Sequence, residues 1–437
     1  MMSRSPAGQR RWARSHPMRR TAAVLASLAL LPVLTLPATA DLPQVRAVTE
    51  TPPNYDDKAG GKADADDPAI WINREHPERS RVIGTLKNAG LDVFDLAGNR
   101  LQHFAPPPAP TPDAEAGRFN NVDVVQAARV GRRTLDLAVV SDRGRDRIRV
   151  YAIDRSGVLT DVTTATPPRA FSATEAEVDD QRTAYGLAVV PDPAGGAPWV
   201  VTSRRHETRI GVFRLADDGT GHITYRRADL LDLPATFPVP GGSWSPCEDP
   251  GEGPQVEGMV FDPTDGVLYA AQEDVGVWRI PLRDGRFGKP ALVDRVREFG
   301  RPAGYDETAE ECVFTGPPSP AAGRYISADA EGLTIAYGRH GEKTLLASSQ
   351  GDSTFVVYDI SRGFRHTTGF AVADGSTVDG VQHSDGGAVT STPLGRDFPH
   401  GLLVLHDGEN TPDDGRVSTN FKFVRWEQVP GSGRAGR

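Results

Sequence analysis

Residues Gln255 to Trp278 read QVEGMVFDPTDGVLYAAQEDVGVW. Val256, Met259 and Phe261 lead into Asp262-Pro263-Thr264-Asp265-Gly266, a strong turn signal. Val267 to Ala271 and Val275 to Trp278 then give apolar, β-prone runs. The stretch predicts short strands around a turn. Acids interrupt it: Glu257 opens the first strand, and Glu273-Asp274 fall where the chain should be crossing a core. A carboxylate buried in a strand is costly unless something cationic pairs with it.

The same theme recurs outward from this stretch. VIGTLKNAGLDVFDL, LDLAVVSDRGRDRIRVYAI, WVVTSRRHETRIGVFRL, VLYAAQEDVGVWRIPL and TLLASSQGDSTFVVYDI each place a polar kink between two β-runs. A second, offset similarity precedes several of these units: YGLAVV at 185, VEGMVF at 256, AEGLTIA at 330 and HGLLVL at 400. Its glycines are 72, 74 and 69 residues apart. Repeated strand hairpins without helical periodicity predict an all-β fold, a β-propeller of about six antiparallel blades with four to five strands each. A sandwich is the alternative, and evenly repeated units over this length make it the poorer one. Val417 to Trp426 is expected as a last strand, able to close the ring with an N-terminal strand near Val45 to Thr49.

The 437 residues, with 46 Gly and 36 Pro, suit many tight turns and disfavour long helices. Arg19-Arg20, the apolar run Ala22 to Leu36 and Ala38-Thr39-Ala40 predict a secretory signal peptide over residues 1–40. A membrane anchor fits less well, because Pro32 and Pro37 break a short run. Met18 is an alternative start, and neither arginine pair sits in a full twin-arginine motif. Residues 41–430 are expected to form the propeller and 431–437 a flexible tail. A leader with six arginines and no acid takes the formal charge from −9 to about −15 on removal. A chain so acidic is not expected to bind nucleic acid unaided. No membrane association is expected after export, and a secreted monomer is the working expectation. Cys247 and Cys312 are the only cysteines. Export permits a bridge tying the two loops together, free thiols stay open, and no CxxC or Cys/His cluster supports a cysteine metal site.

A propeller brings strand ends from distant parts of the chain to one channel mouth. The acids that interrupt the repeats are Asp67, Asp123, Glu257, Glu273, Asp329, Glu331 and Asp385. Each alone has a bland reading as a turn acid or a solvated strand end; their recurrence at matching places is the signal. Gathered together they repel without a counter-ion. Ca²⁺ takes many oxygen ligands in flexible geometry, and Gln350 and Asn120-Asn121 offer neutral oxygens. Zinc is disfavoured by the lack of HExxH or a Cys/His cluster, and no EF-hand loop occurs. Bases also occupy the kinks: Lys87, Arg143 and Arg204-Arg205-His206. Arginine suits bidentate contact with phosphate oxygens, although surface salt bridging is its commoner fate. The combination points to a phosphate ester. No GxSxG elbow, Walker loop or dinucleotide fingerprint appears.

The strings DDPAIW at 66, NNVDV at 120, YGLAVV at 185, QVEGMVFD at 255, AQEDVGVW at 271, DAEGLTI at 329, LLASSQGDS at 345, SDGGAVTSTPLG at 384 and FPHGLLVLHDGEN at 398, in this order, resemble the β-propeller phytases. These are calcium-dependent secreted enzymes that remove phosphate from inositol hexakisphosphate. The resemblance spans roughly residues 45–428 and implies a six-bladed propeller holding several Ca²⁺ ions. It also implies that Glu257, Glu273, Asp329, Glu331, Gln350 and Asp385 are calcium ligands at the mouth, with Asp67 and Asp123 as further ligands. Lys87, Arg143, Tyr185 and Arg204 fall where the family contacts substrate phosphates, and Arg205 is counted with them. Ala388 stands where the family pattern has a second acid, a departure from the ligand set that the resemblance implies.

The implied activity is that of a phosphoric monoester hydrolase of the 3-phytase type. Its substrate would be phytate or the calcium salt of phytate, attacked by a calcium-bound water. Glu273 would orient that water, Lys87, Arg143 and Arg204 would stabilise charge on phosphate, and Tyr185 would donate a hydrogen bond. A calcium-dependent propeller lactonase would explain the acids but not the bases. A non-catalytic ligand-binding propeller would explain the repeat but not acids recurring within strands.

Overall fold

Six antiparallel sheets follow one another along the chain in the computed structural model, which describes residues 42–59, 63–411 and 414–432. The expected signal peptide lies outside the described residues. The sheets form a six-bladed β-propeller. Their innermost strands are Pro68–Trp71, Phe119–Val130, Ala184–Val190, Val256–Asp262, Ala330–Tyr337 and Gly387–Thr390. Each innermost strand touches the next, and the last touches the first, so the six enclose a central channel.

The opening stretch shows why the chain folds this way. Val256–Asp262 pairs with Val267–Gln272, which pairs in turn with Gly276–Arg283. Between the first two strands Asp262 accepts N–H bonds from Thr264 through its side chain and from Gly266 through its carbonyl, both at 3.0 Å. Gly266 has φ +66°, a conformation glycine adopts without steric cost. Apolar residues of neighbouring blades meet between the sheets. Val256, Ala270 and Val277 of the fourth blade share one cluster with Ala330, Leu345 and Val356 of the fifth.

Closure uses the N-terminal segment. Ala47–Glu50 pairs antiparallel with Ser418–Arg425 and so becomes part of the sixth blade, as the sequence predicts. Gln44–Val45 adds a parallel strand to the fifth blade. Lys422 locks this junction: its wholly buried ammonium meets Glu50, Asp379 and Asp407. HGLLVL is not the fourth member of the glycine repeat. It contributes the second strand of the sixth blade, Leu402–Asn410, and the inner strand follows Asp385-Gly386 instead.

Two small hairpins stand apart from the blades: Phe237–Val239 with Gly242–Trp244, and Ala303–Asp306 with Glu311–Phe314. A Cys247–Cys312 disulfide joins the segment after the first hairpin to the second strand of the other, with Cα atoms 5.9 Å apart, so the two cysteines are bridged. Trp244 packs on Phe299 beneath them, ring centroids 4.7 Å apart.

Candidate active site

Four inner strands lose register with their neighbours at the same point. The breaks fall between Phe119 and Val122, Ala184 and Leu187, Val256 and Met259, and Ala330 and Leu333. Such bulges re-aim a side chain. Here they contain Asn120-Asn121, Tyr185-Gly186, Glu257-Gly258 and Glu331-Gly332, so the polar residues share one level of the channel. In the fifth blade's successor, Asp385-Gly386 takes the equivalent place. The glycines are required by packing. A Cβ on Gly186 would lie 2.0 Å from the Glu257 carbonyl oxygen, and one on Gly258 would lie 2.2 Å from that of Glu331. The turns between second and third strands add Lys87, Arg143, Arg205, His206, Glu273 and Gln350 at the same end.

These elements enclose a cavity of about 190 Å³. One carboxylate oxygen from each of Glu257, Glu273 and Glu331 lies within 4.8 Å of the others, and Glu273, Asp274 and Asp329 form a second such group. Burial, with Glu257 and Glu273 nearby, pushes the Glu331 carboxyl well above the usual range. Its Oε2 is buried with no hydrogen-bond partner. Glu257 is raised by burial and by Asp385, although Tyr185 donates its hydroxyl to it and Asn120 its amide. Asp385 differs. Burial would raise it, but Lys87 at 3.3 Å and His406 outweigh that and hold it low, and Gln350 donates to it at 2.6 Å. Burial opposes the charge on Lys87, yet Asp64 at 2.6 Å, Asp66 at 3.4 Å and Asp385 hold its pKa well above the lysine value. An all-oxygen acidic set of this kind can hold a metal and suits a hard cation.

Arginines line the other side. Arg143 donates to Asn120 at 2.8 Å and lies 5.3 Å from the Tyr185 ring centre, with Arg205 at 6.0 Å. Burial and then Arg143 depress both Arg205, to about 9, and Arg118, to about 10. Guanidinium groups gathered in this way can hold an anion. His206 pairs with Glu252 at 2.7 Å beside them, and burial lowers it to about 4.

Ten residues expected at the site line this cavity: Lys87, Arg143, Tyr185, Arg205, Glu257, Glu273, Asp329, Glu331, Gln350 and Asp385. Arg204 does not. Its guanidinium turns to Glu207 at 3.0 Å and Glu177 at 3.2 Å and donates to the Arg182 carbonyl. Asp67 and Asp123 line the central channel beyond the mouth. There Asp67 accepts the Val122 N–H at 3.1 Å and Asp123 accepts that of Val189 at 2.7 Å, fastening adjacent inner strands. Ala388 lies in the same part of the channel. Sequence reasoning did not select Arg118, Asp64 or Asp66.

Together these features define a propeller enzyme whose pocket sets carboxylates able to hold metal against arginines able to hold an anion. A family model for Phytase matches residues 18–233 and 318–432. The 3-phytase of Bacillus subtilis (strain 168) is 32% identical over 390 residues, 88% of this chain and 84% of that protein. The chain belongs to the phytase family and is a phytase, an enzyme of phytate hydrolysis. Among solved structures it is similar to an auxiliary nutrient binding protein from Bacteroides thetaiotaomicron, with TM-score 0.43 and 10% identity over 83% of this chain and 70% of that one.

Proposed function

We propose that phytate hydrolysis by this chain depends on calcium held at the acidic mouth, with the leaving phosphate seated against the arginines. The observation that carries the reading is the division of charge within one cavity: a tight group of buried carboxylates faces buried Arg143 and half-buried Arg118 and Arg205. Glu257, Glu273, Asp329, Glu331, Gln350 and Asp385 are the ligands in this reading. The fit rests on their oxygen donors and on the unpartnered Glu331 Oε2, which a cation or a proton must answer. Asp67 and Asp123 would hold a further ion in the channel. When bound, calcium offsets carboxylate and phosphate charge and acidifies a coordinated water.

The chain's own residues do the rest. Arg143 and Arg205 bind and orient the phosphate through donors fixed in place before substrate arrives. Glu273 accepts a hydrogen bond from the attacking water and aligns it. The water oxygen bonds to phosphorus, the P–O bond to the inositol ring breaks, and the ring oxygen leaves carrying the proton that the water gives up. Tyr185, anchored on Glu257, donates to a phosphate oxygen as charge gathers there. Arg118 extends the cationic surface for a neighbouring phosphate, and phytate or its calcium salt is the proposed substrate. The 3-phytase activity of the relative is the specific form proposed. Export as a secreted monomer, after removal of residues 1–40, completes the reading, and N-terminal sequencing of protein recovered from culture medium tests it.

The deciding assay is phosphate release from inositol hexakisphosphate with calcium, then with excess chelator, then with calcium restored. Loss and recovery are expected. Full activity after complete chelation would remove calcium from the reaction.

A further inference from the structure

We propose that Gln255 is a positioning residue: its side-chain amide clamps the Glu273 carboxylate to the backbone of His206 and thereby fixes the acidic side of the mouth against Arg205. The inference rests on the calcium-dependent reading of that mouth. Gln255 is 5% exposed and sits one residue before the inner strand Val256–Asp262. Its Nε2 donates to Glu273 Oε2 at 3.0 Å, and its Oε1 accepts the buried N–H of His206 at 2.9 Å. The amide can sit only one way round, because a carboxylate only accepts and a backbone N–H only donates. Its own carbonyl accepts the Glu273 N–H at 3.1 Å. On the far side the Glu273 carbonyl accepts the N–H of Ala330 at 2.8 Å, next to Glu331.

Glutamine is the residue this place needs. At this length it alone supplies a donor for a carboxylate and an acceptor for an N–H at once. His206 is in the left-handed region, φ +62°, within the tight turn that presents Arg205. Without the amide its N–H is left buried and unmatched, and Glu273 loses the donor that sets its carboxylate plane. Two charge groups of opposite sign, carried by different blades, then lose their common reference.

The test uses the full chain with Gln255→Met, which keeps length and volume but removes both bonds, and Gln255→Glu, which keeps the acceptor for His206 but sets a like charge on Glu273. Partners that orient a metal ligand typically matter about 10–100-fold in affinity or activity. Gln255→Met is therefore expected to lower kcat by about that range with KM for inositol hexakisphosphate changed less than roughly threefold, and to weaken calorimetric Ca²⁺ binding about tenfold. Gln255→Glu should fail to restore the Ca²⁺ isotherm although it satisfies His206. A fall in thermal midpoint with kcat and the isotherm unchanged overturns the proposal, because a structural role alone does that. If Gln255→Met does not fold, Gln255→Glu decides by the same isotherm, and wild-type binding overturns the clamp. A wild-type chain that binds no Ca²⁺ removes the underlying reading and the clamp with it. A wild-type chain that binds and turns over while both variants match it removes the clamp alone.

Discussion

Gly258→Ala is a single methyl placed where two blades touch. None of Gly186, Gly258 and Gly332 has a left-handed φ, so alanine meets no backbone strain at any of them. Removing glycine from the unfolded chain would by itself stabilise by about 0.4–1 kcal/mol. The new Cβ would lie 2.2 Å from the Glu331 carbonyl oxygen and 2.6 Å from its carbon. Backbone cannot rotate away, so restoring ordinary contact moves the two inner strands apart by roughly 1 Å. Overpacking of this kind costs about 1–3 kcal/mol, so the net loss of stability is about 1–2 kcal/mol. The strands that part carry Glu257 and Glu331, two of the three clustered carboxylates. A misplacement of about 1 Å costs on the order of 10²-fold in rate, equivalent to about 2.7 kcal/mol. Activity should therefore suffer more than stability. Gly186→Ala, at 2.0 Å from the Glu257 oxygen, should behave alike, and Gly332→Ala, at 2.8 Å from that of Asp385, should be mildest. Phosphate release gives kcat/KM, and urea unfolding gives stability. Wild-type turnover in Gly258→Ala, or a larger defect in Gly332→Ala, would refute the idea that inter-blade contact sets the carboxylate positions.

Lys422→Met should destabilise by about 3–5 kcal/mol in urea, since Glu50, Asp379 and Asp407 are left without their shared cation. Burial opposes the Lys422 charge but Asp407, Asp379 and Glu50 raise its pKa, so its contribution is full below the ordinary lysine value and fades above it. Wild-type stability should fall on the alkaline side, and the variant's should fall less. Changing Cys247 and Cys312 together to serine opens a 65-residue loop and should cost up to about 4 kcal/mol, read as a lower thermal midpoint. Arg205→Ala should raise KM for inositol hexakisphosphate at least several-fold while Arg204→Ala leaves it near wild type; the reverse order would return Arg204 to the phosphate.

The propeller was legible because hairpins of similar length recur with a polar kink in each, and that kink is the turn that reaches the mouth. What the sequence could not supply is phase. Asp66 and Asp67 are neighbours, and so are Arg204 and Arg205. In an extended chain adjacent side chains point to opposite sides, so a shift of one residue exchanges mouth for channel or channel for surface. Asp66 meets Lys87 at the mouth whereas Asp67 faces the channel. Arg205 reaches Tyr185 while Arg204 joins Glu177. Bulges and tight turns set that phase, and neither has a residue signature sharp enough to fix it from one sequence. The sixth blade was misaligned for a related reason. Its inner strand is only Gly387–Thr390, and the longer apolar run Leu402–Asn410 carries the stronger β signal. Arg118 precedes its inner strand, outside any repeated kink, and so carried no positional signal.

The two kinds of base at the mouth have different duties. Lys87 already has Asp64, Asp66 and Asp385 around its ammonium, which leaves it more negative charge than it can balance. Burial and then Arg143 weaken the charge on Arg118 and Arg205, so these bases carry more positive charge than their surroundings favour. A phosphate arriving at Lys87 must therefore displace or share an acid, whereas one arriving at the arginines relieves repulsion outright. On the proposed reading this divides the mouth. Lys87 holds Asp385 ionised at low pKa, keeping one calcium ligand charged, and the arginines take the substrate. Electrostatic attraction for a polyanion then depends on metal loading: without it, the buried carboxylates oppose approach, and with it they become part of the binding surface.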